Sequence, residues 1–246
     1  MDRALYVAMT GAKQSMLAQE VFSHNLANAT TTGFKADYTQ FMSYPIYGAG
    51  YASRSYAVAR DTAVDFSQGS LQSTQRELDI ALNHEQAWLS VQAPDGSEAY
   101  TRMGNLQISA SGLLTTGAGY LLLGNGGPIS IPPSEKIEIA QDGTVSVRAN
   151  GQGANALVVL DRIKVVRGEA EKMMKGQDGL FRAKDNIPLN PDPTMGVVTG
   201  ALESSNVNAI GSLLQMINLS RNFELQIKLM QESNQNAQLT AQLLQS

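Results

Sequence analysis

Few residues in this sequence could carry out catalysis or bind a metal ion. The two histidines, His24 and His84, lie in regions of different sequence texture, and no carboxylate cluster at metal-ligand spacing accompanies either one. The chain contains no cysteine, no G-x-S-x-G nucleophile motif and no G-K-[ST] phosphate loop. The sequence therefore predicts no catalytic residue, no metal and no cofactor, and it indicates that the protein is not an enzyme.

Carboxylates that are close in the sequence offer one catalytic alternative. A carbohydrate-processing enzyme needs two carboxyl groups that face one cleft. The candidates are the pair Asp61 and Asp65 and the pair Glu77 and Asp79, but only the fold could turn either pair toward a cleft. A secreted β-rich enzyme or adhesin with oligomerising helices is thus the alternative from a different functional class.

Composition excludes several classes of partner. The chain has 246 residues, of which 43% are hydrophobic, so it can bury one large core or two modest ones. The formal net charge of -4 leaves no basic face for phosphates, and we expect no nucleic-acid partner and no small-molecule substrate. Polar residues interrupt the N-terminal segment every few positions, so it resembles neither a secretory signal nor a membrane span.

Apolar residues at helical spacing predict one helix from Asp2 to about Asn28. Residues 44–200 then change to short alternating runs with glycine turns, which predicts a mainly antiparallel β region. IEIAQDGTVSV and WLSVQAPDGSEAYTR each read as a hairpin around an Asp-Gly turn, and ALVVLDRIKVV reads as a continuous buried strand. The stripe that the first helix would bury against a partner helix consists of Leu5, Met9, Ala12 and Met16.

The segment from Val207 to Gln245 predicts a second, longer helix. Its apolar positions alternate spacings of four and three, which is the period of a coiled-coil seam, with Ser220 and Asn234 as polar interruptions. At about 1.5 Å per residue, this helix is about 60 Å long and needs a partner, for which the first helix is the natural choice. The predicted seam residues are Leu213, Met216, Phe223, Ile227, Met230, Ala237, Ala241 and Leu244.

The remaining faces of the second helix carry few charges. After Val207 only Arg221, Glu224, Lys228 and Glu232 are charged, while leucine and isoleucine occupy faces outside the seam. A water-facing helix usually carries interspersed charges on its outer side. We therefore expect this helix to be surrounded by protein in an assembly, with burial in the core of its own domain as the alternative.

Residues 25–35, NLANATTTGFK, resemble the signature that follows the first helix of bacterial flagellar axial proteins, the rod and hook family. Similar blocks follow in the order of that family at residues 65–82, 99–132, 142–147 and 200–228. The chain length and the opening MDRALYVAMTGA are most similar to the proximal-rod members, and a distal-rod or hook-type axial protein is the nearer alternative. The signature positions, which we predict to form an assembly motif, are Asn25, Leu26, Ala27, Asn28, Thr31, Gly33, Phe34 and Lys35.

This resemblance implies an α+β fold in which the N- and C-terminal helices form an axial coiled coil around which a central, mainly antiparallel β domain is placed. The implied domains are residues 1–35 with 201–246 as the helical rod core, 36–75 as an extended arm, and 76–200 as an outer β-rich domain. The implied function is a structural subunit of the flagellar proximal rod that polymerises helically and transmits motor torque.

The resemblance also implies the partners and the location. The partners are other copies of the chain, the proximal and distal rod subunits, and the flagellar type III export apparatus. The location is the periplasmic rod of the flagellar basal body, which the chain reaches by export without a cleaved signal peptide. We expect that the protein does not span the membrane.

Two local hypotheses follow for segments next to the first helix. Gly33 permits the chain reversal and Phe34 anchors in the groove of a neighbouring subunit, with a plain solvent-exposed helix end as the alternative. Replacing Gly33 with valine is then expected to disturb assembly and leave the β domain folded. The tyrosine-rich segment 40–61 is either a mobile arm that packs on an adjacent subunit or a strand of the β domain; it contains Tyr44, Tyr47, Tyr51 and Tyr56.

Overall fold

The computed structural model describes residues 3–45, 55–149, 151 and 157–243. The chain divides into two compact units. The helical unit comprises Met1–Ala29, Ala36–Asp65 and Val207–Ser246, and the β unit comprises Thr30–Lys35 and Phe66–Asn206. Residues 36–65, which the sequence assigned to an extended arm, therefore share a unit with the two terminal helices.

The helical unit contains helix α1 (Arg3–Ala27) and helix α2 (Ala209–Leu243), which pack against each other. Both helices were predicted from the sequence, and their existence is confirmed. Asn208 caps α2, because its side-chain Oδ1 accepts a hydrogen bond from the backbone N–H of Gly211 at 2.9 Å. Neither helix, over the residues that the structure describes, has an apolar stretch of the length and hydropathy needed to cross a bilayer.

Small residues form the side of α1 that is buried. Ala8, Ala12 and Ala18 are buried at spacings that keep them on one face of the helix. Gly11 lies on the same face, and a Cβ placed there would be 3.1 Å from the side-chain amide of Gln226 on α2. Helix α1 therefore approaches α2 closely at Gly11, and the apolar residues that α1 buries fully are alanines.

The tyrosine-rich segment belongs to a two-stranded antiparallel sheet in the helical unit. Strand β1 (Asp37–Pro45) pairs with strand β2 (Ser55–Val64), and Tyr44 lies opposite Tyr56. These strands pair with each other and not with the sheets of the β unit. The hypothesis that this segment is a strand of the β domain is therefore wrong, because its strands belong to the helical unit. Tyr47 and Tyr51 lie outside the described residues.

The β unit consists of antiparallel strands in several sheets. The strand bounds are β3 (Leu71–Ser73), β4 (Ile80–Leu82), β5 (Ala87–Gln92), β6 (Glu98–Thr101), β7 (Leu106–Ile108), β8 (Leu114–Thr116), β9 (Leu121–Gly124), β10 (Gly127–Pro128), β11 (Ser134–Ile139), β12 (Thr144–Ala149), β13 (Val158–Arg162), β14 (Val165–Arg167), β15 (Met173–Lys175), β16 (Phe181–Ala183), β17 (Val197–Thr199) and β18 (Ala201–Glu203). A short 3-10 helix spans Ala170–Lys172. The largest sheet has the order β15-β16-β6-β5-β9-β8-β7, with β10 paired to β9 and β14 paired to β5, and smaller sheets pair β11-β12-β13, β17-β4 and β18-β3.

Both predicted hairpins of the β unit are confirmed. Ile139 on β11 lies opposite Val145 on β12, and the turn between them places Gly143 at a φ of 86°, which glycine adopts without strain. Val91 on β5 lies opposite Ala99 on β6 around the second Asp-Gly turn. The alternating pattern predicted a mainly antiparallel β region between the helices, and this prediction is confirmed.

The segment ALVVLDRIKVV differs from its prediction of one continuous buried strand. It divides into β13 and β14, and only its second half is buried, including Ile163, Val165 and Val166. Val159 on β13 is 64% exposed, because β13 is the edge strand of the three-stranded sheet. An apolar run in the sequence therefore marks a strand here, but the sheet position decides its burial.

Large side chains fill the core of the β unit. Trp88 packs against Phe181 with ring centroids 4.5 Å apart, and Phe66 lies 6.1 Å from Trp88 in an edge-to-face arrangement. The aliphatic core draws on most strands of the unit. The fully buried aliphatic residues with the largest side chains are Ile80, Leu82, Leu89, Leu106, Leu114, Leu122, Ile129 and Ile163.

Candidate assembly surface

Helix α2 has two apolar faces, and only one of them lies against α1. Successive residues of a helix are rotated by about 100°, which groups the half-buried residues of α2 on one side. Gln226 is on that side and meets Gly11 of α1. The members of this α1-facing side that are buried or half-buried are Ser212, Met216, Leu219, Phe223, Gln226, Ile227 and Met230.

The opposite side of α2 exposes large apolar residues over the whole helix. They fall within an arc of about 120° around the helix axis. Ile210 is 75% exposed and Leu225 is 56% exposed, although a leucine or isoleucine of a monomer more often contributes to its core. We call this side the exposed α2 face; its apolar members are Ile210, Leu214, Ile217, Leu225, Leu229, Leu239 and Leu243.

The predicted seam residues of α1 are distributed between buried and exposed positions. Ala12 is buried in the small-residue face, and Leu5 is half-buried. Met9 and Met16 are 54% and 58% exposed, and Tyr6 and Leu17 are exposed beside them. Helix α1 therefore also presents apolar side chains that the single chain does not cover.

The predicted seam residues of α2 follow the α1-facing side for two heptads. Met216, Phe223, Ile227 and Met230 are half-buried there, and Leu213 is exposed. Ala237 and Ala241 are exposed, as is every other residue of α2 from residue 234 onward. Leu244 lies outside the described residues.

The first half of the signature fastens the end of α1 within the helical unit. Asn25 is buried, and its Nδ2 donates to the backbone carbonyl of Asp37 at 2.6 Å, while its Oδ1 accepts from the Asp37 N–H at 2.9 Å. The Asn28 side chain donates to the carbonyl of His24 at 3.0 Å. Leu26 is half-buried and Ala27 is exposed. The asparagines thus satisfy backbone groups around the helix end, as polar residues commonly do there.

The second half of the signature lies in the β unit, with Thr31 half-buried. Gly33 has a φ of 67°, and its N–H donates to the backbone carbonyl of Glu203 at 2.8 Å. A Cβ at Gly33 would overlap the backbone carbonyl of Arg102. Because the glycine is part of the packing of the β domain, the structure argues against the expectation that a valine at this position leaves that domain folded.

Lys35 is the centre of a buried charge network that the sequence did not reveal. Its Nζ donates to Glu203 Oε1 at 2.8 Å and to the carbonyl of Ser67 at 2.6 Å. Arg102 contributes a second cation, with Nε 2.7 Å and Nη2 2.6 Å from Glu203 Oε2. The Gly69 N–H also donates to Glu203 Oε1 at 3.0 Å. Lys35, Arg102 and Glu203 are each at most 2% exposed.

The surroundings of Glu203 keep it ionised. Burial by itself raises the pKa of this carboxyl group, but the hydrogen bonds and positive charges of Arg102 and Lys35 outweigh it, so the pKa is below its ordinary value. Arg102 is held in turn, because its Nη1 donates to the carbonyls of His84, Glu85 and Ala87. The network therefore joins the signature, the strand β18 and the turn before β5, and within it Arg102 Nη2 meets Glu203 Oε2 as an ion pair without a hydrogen bond.

Phe34 contacts a residue of its own chain. It is half-buried, and the Lys175 ammonium group lies 4.2 Å from the centre of its ring. Lys175 Nζ also donates to the carbonyl of Lys35 at 2.9 Å. Anchoring of Phe34 in the groove of a neighbouring subunit stays a prediction.

Both histidines and the pair Glu77 and Asp79 have ordinary structural surroundings, Asp65 is exposed, and the side chain of Asp61 lies outside the described part of the chain. His24 Nδ1 lies 3.2 Å from Asp37 Oδ2 at the end of α1, and His84 Nδ1 accepts the N–H of Gln86 at 3.2 Å. Asp79 lies 3.3 Å from Arg76, whereas Glu77 is exposed. Over the described ranges, no three His, Cys, Asp or Glu side chains group as metal ligands would.

Three family models match this chain. The model described as flagella basal body rod protein matches residues 5–35, which include α1 and the signature. The model described as flagellar hook protein FlgE/F/G D1 domain matches residues 85–147 of the β unit. The model described as flagellar basal body rod FlgEFG protein C-terminal matches residues 198–243, which include β18 and α2.

Several curated proteins are similar to the chain over nearly its whole length. The flagellar basal-body rod protein FlgF of Escherichia coli is 39% identical, and FlgF of Salmonella typhimurium is 38% identical, each over 99% of both chains. The rod protein FlgG of Buchnera aphidicola subsp. Schizaphis graminum is 30% identical over 98% of this chain and 99% of its own. The similarity therefore includes the helices, the β unit and the signature together.

Proposed function

Because the chain belongs to the family of flagellar basal-body rod proteins and is a structural subunit of the rod, we propose that it assembles through the exposed apolar sides of α1 and α2. Neighbouring axial proteins cover these sides in the rod. The relatives are structural proteins, and none of the matching family models is a catalytic one. The alternative of a β-rich enzyme or adhesin finds no support in them.

The observation that carries this proposal is that the apolar side chains of the exposed α2 face are open to solvent in the single chain. Each fully buried leucine or isoleucine contributes about 1.5–3 kcal/mol relative to an exposed one. Seven such residues on one helix form an apolar surface that a monomer rarely leaves in water. Covering this surface by other subunits supplies the driving force for assembly.

In the assembled rod, α1 and α2 act as an axial coiled coil. Met216, Phe223, Ile227 and Met230 follow one another at steps of seven, four and three residues, which supports this geometry because these steps keep one seam against a partner helix. The seam extends in this proposal to the predicted positions Leu5, Met9, Ala12 and Met16 of α1. Their exposed members become covered by helices of other subunits.

The rod in this proposal transmits motor torque through packed helices. Sliding one helix along another would expose apolar side chains and empty the spaces that they fill, so a bundle with interlocked seams resists twisting. The proximal part of the rod is the proposed place of the subunit, in the periplasm. For the assembled rod we keep the predicted domains, residues 1–35 with 201–246 as rod core, 36–75 as arm and 76–200 as β-rich domain; in the single chain, residues 30–35 and 201–206 pack in the β unit and 36–65 in the helical unit.

The route to the rod is also part of the proposal. The chain leaves the cytoplasm through the flagellar type III export apparatus and keeps its N-terminal residues. The helical unit fully buries only small or polar side chains by itself, so its two helices are only weakly stable until neighbours cover them. Mass spectrometry of the subunit from purified basal bodies tests this route, and a rod subunit that lacks the first residues of α1 contradicts it.

A double substitution on the exposed α2 face tests assembly. The variant Leu225→Asn with Leu229→Asn removes two exposed leucines without changing charge. In a strain that lacks the endogenous chain, we expect this variant to be exported but lost from purified basal bodies, and swimming to be abolished. Its soluble form should keep the unfolding midpoint of the native chain.

A matched control distinguishes assembly from solubility. Leu71 on β3 is 49% exposed, close to the 56% of Leu225, but it belongs to the β unit. The variant Leu71→Asn should enter the rod and support swimming. Normal incorporation of the double variant would contradict the proposed surface.

A further inference from the structure

Helix α1 exposes one side that combines apolar side chains with both signs of charge. Lys13 and Glu20 are exposed there, and neither has an ion-pair partner among the described residues. Met9 and Met16 lie beside them and are 54% and 58% exposed. With about 100° of rotation per residue, this side covers an arc of about 100°. We call it the exposed α1 side; its members are Tyr6, Met9, Lys13, Met16, Leu17 and Glu20.

The exposed α2 face combines the same two kinds of side chain. The charged residues of α2 overlap the arc of its exposed leucines and isoleucines. None of these charges has an oppositely charged partner in the part of the chain that the structure describes. They are Arg221, Glu224, Lys228 and Glu232, and all four are exposed.

The exposed α1 side and the exposed α2 face lie on opposite outer sides of the helix pair. Gly11 of α1 meets Gln226 of α2 where the two helices approach each other. At about 100° per residue, the middle of the exposed α1 side is rotated about 180° from Gly11. The middle of the exposed α2 face is likewise rotated about 180° from the middle of the α1-facing side. The pair therefore presents two different outer sides, one from each helix.

The two helices of one chain are antiparallel. The backbone N–H of Asn206, just before α2, donates to the carbonyl of Phe34, just after α1, at 3.3 Å. The end of α1 is therefore near the start of α2. Gly11 and Gln226 meet at nearly the same number of residues from these two points, as antiparallel helices require.

We propose that the exposed α2 face of one copy of this chain packs antiparallel on the exposed α1 side of the next copy, with Glu224 beside Lys13. The inference rests on the proposed assembly through these sides and names the partner that covers them. A head-to-tail repeat of identical subunits joins two different faces, and the helix pair offers two on opposite outer sides. Copies of one orientation have parallel α1 helices, so α2 is antiparallel to the next α1 as it is to its own.

Opposite charges meet when two such copies lie side by side. Because Gly11 and Gln226 share one level of the antiparallel pair, Lys13 is at the level of Glu224 on the other outer side. A second copy without axial displacement therefore places its Lys13 beside Glu224 of the first copy. The contact supplies each of these charges with a counter-charge that its own chain does not provide.

The neighbouring charges of α2 disfavour a shift of this contact. A displacement by one helical turn in either direction would place Lys13 beside Arg221 or beside Lys228, and like charges repel. Without displacement, Glu20 lies about 6 Å along the axis from Arg221, which is its opposite in sign. Charge complementarity therefore favours copies that lie side by side.

Apolar side chains fill the space between the charges at the same register. Leu225 of one copy is at the level of Ala12 of the next, between the exposed Met9 and Met16. A leucine that enters between two flexible methionines removes apolar surface of all three from water. The contact therefore covers the apolar residues of both sides while it pairs their charges.

Cross-linking between two tagged copies tests this contact. The native chain has no cysteine, so an introduced thiol is the sole thiol of its copy. One copy carries Met9→Cys and the other Lys228→Cys, which are at one level of the proposed contact. Both are produced in a strain that lacks the endogenous chain. A short bis-maleimide should join the two different tags in purified basal bodies.

Other cross-linking results would overturn the inference. A product of Met9→Cys with itself, or of Lys228→Cys with itself, in place of the mixed product shows that a side packs on its like in a two-fold contact. Normal incorporation of both copies without any product shows that a protein other than a second copy covers these sides.

A charge exchange provides a second measurement that needs no thiol. Lys13→Glu alone places two anions at the contact, and Glu224→Lys alone places two cations there. Each single variant, produced alone, should be about tenfold less abundant in purified basal bodies than the native chain. The double variant restores opposite charges between copies and should recover the native amount.

A matched control accompanies the charge exchange. Glu77→Lys reverses an exposed charge of the β unit and should enter the rod as the native chain does. Native amounts of both single variants would contradict the contact, as would a double variant that stays as scarce as the single ones. Circular dichroism of the soluble variants should match that of the native chain.

These outcomes are distinguishable from failure of the assembly proposal itself. If the Leu225→Asn with Leu229→Asn variant is lost from the rod and the mixed cross-link is absent, the surface stands and the proposed partner is wrong. If that double variant enters the rod normally, the assembly proposal fails before the partner is considered.

Discussion

The β unit and the helical unit differ in what they bury. The β unit encloses Trp88, Tyr100 and a buried charge network, and its core reaches most of its strands. Among the described residues whose burial is assigned, the helical unit buries only small or polar side chains: Ala8, Ala12, Ala18, Asn25 and Ser212. One unit is stabilised by its own core, while the other leaves its large apolar side chains on the surface.

This difference separates the roles of folding and assembly along one chain. A unit whose large side chains are already buried gains little from a neighbour, so we expect the β unit to unfold cooperatively as a monomer. A unit whose large side chains are exposed gains most of its burial from neighbours. Changes in the β unit should therefore alter the free energy of unfolding, and changes on the exposed α2 face should alter assembly.

The largest expected effect is the loss of the buried carboxylate at Glu203. The variant Glu203→Ala leaves Lys35 and Arg102 buried without a counter-charge, which costs about 3–5 kcal/mol of unfolding free energy. Urea denaturation monitored by the fluorescence of Trp88, the single tryptophan, measures this in the β unit. The exposed Glu77→Ala serves as control, and an equal midpoint for both variants would refute the role of the network.

The next effect concerns the backbone at Gly33. The variant Gly33→Ala places a side chain at a φ of 67° and against the Arg102 carbonyl, so it should destabilise the β unit by at least about 1–3 kcal/mol. Gly96 provides the matched control, because its φ is 82° but a Cβ there meets no atom within 4 Å. A smaller loss for Gly33→Ala than for Gly96→Ala would contradict close packing at the signature.

Acid should weaken the β unit through the same carboxyl group. The pKa of Glu203 is lower in the folded chain than its ordinary value of 4.5, so its contribution is complete above that pH. The contribution is lost as the pH falls through the folded pKa, because protonation removes the counter-charge of Lys35 and Arg102. Urea midpoints from pH 6 to about pH 3 should fall more steeply for the native chain than for Glu203→Gln. Parallel curves would exclude Glu203 as the source.

The smallest expected effect lies in the helical unit. The variant Gly11→Ala should stabilise α1 by up to about 1 kcal/mol, because glycine is a poor helix former and the new Cβ meets only the flexible end of Gln226. Circular dichroism at 222 nm during thermal unfolding reports the two helices, whereas Trp88 fluorescence should not change. A shift of the fluorescence transition would show that the helical unit and the β unit unfold together.

Local patterns predicted the elements well where the chain itself supplies the cause. The period of the C-terminal segment predicted α2, and alternating valine and isoleucine around Asp142-Gly143 predicted the β11-β12 hairpin. Burial was predicted less well, because it depends on which sheet edge a strand occupies. The exposed first half of ALVVLDRIKVV shows this, since β13 has a neighbour on one side only.

The sequence predicted the candidate assembly surface only in part, because local patterns do not show which distant residues meet. The sparse charges of α2 already indicated a helix prepared for protein contact, and the structure places its leucines and isoleucines on one exposed side. The pairing of Lys35 with Glu203 joins residues 168 positions apart, and no spacing rule relates them. A lysine within the signature was visible in the sequence, but its burial was not.

The sequence by itself determined that two long helices flank a β region, and that the second helix has too few charges to face water. It did so because helix and strand periods, turn residues and charge density are properties of neighbouring positions. Only the tertiary structure decided that Gly33 and Lys35 belong to the β unit and that α1 approaches α2 closely at Gly11. These choices depend on contacts between distant segments, whose energies arise only once the chain has folded.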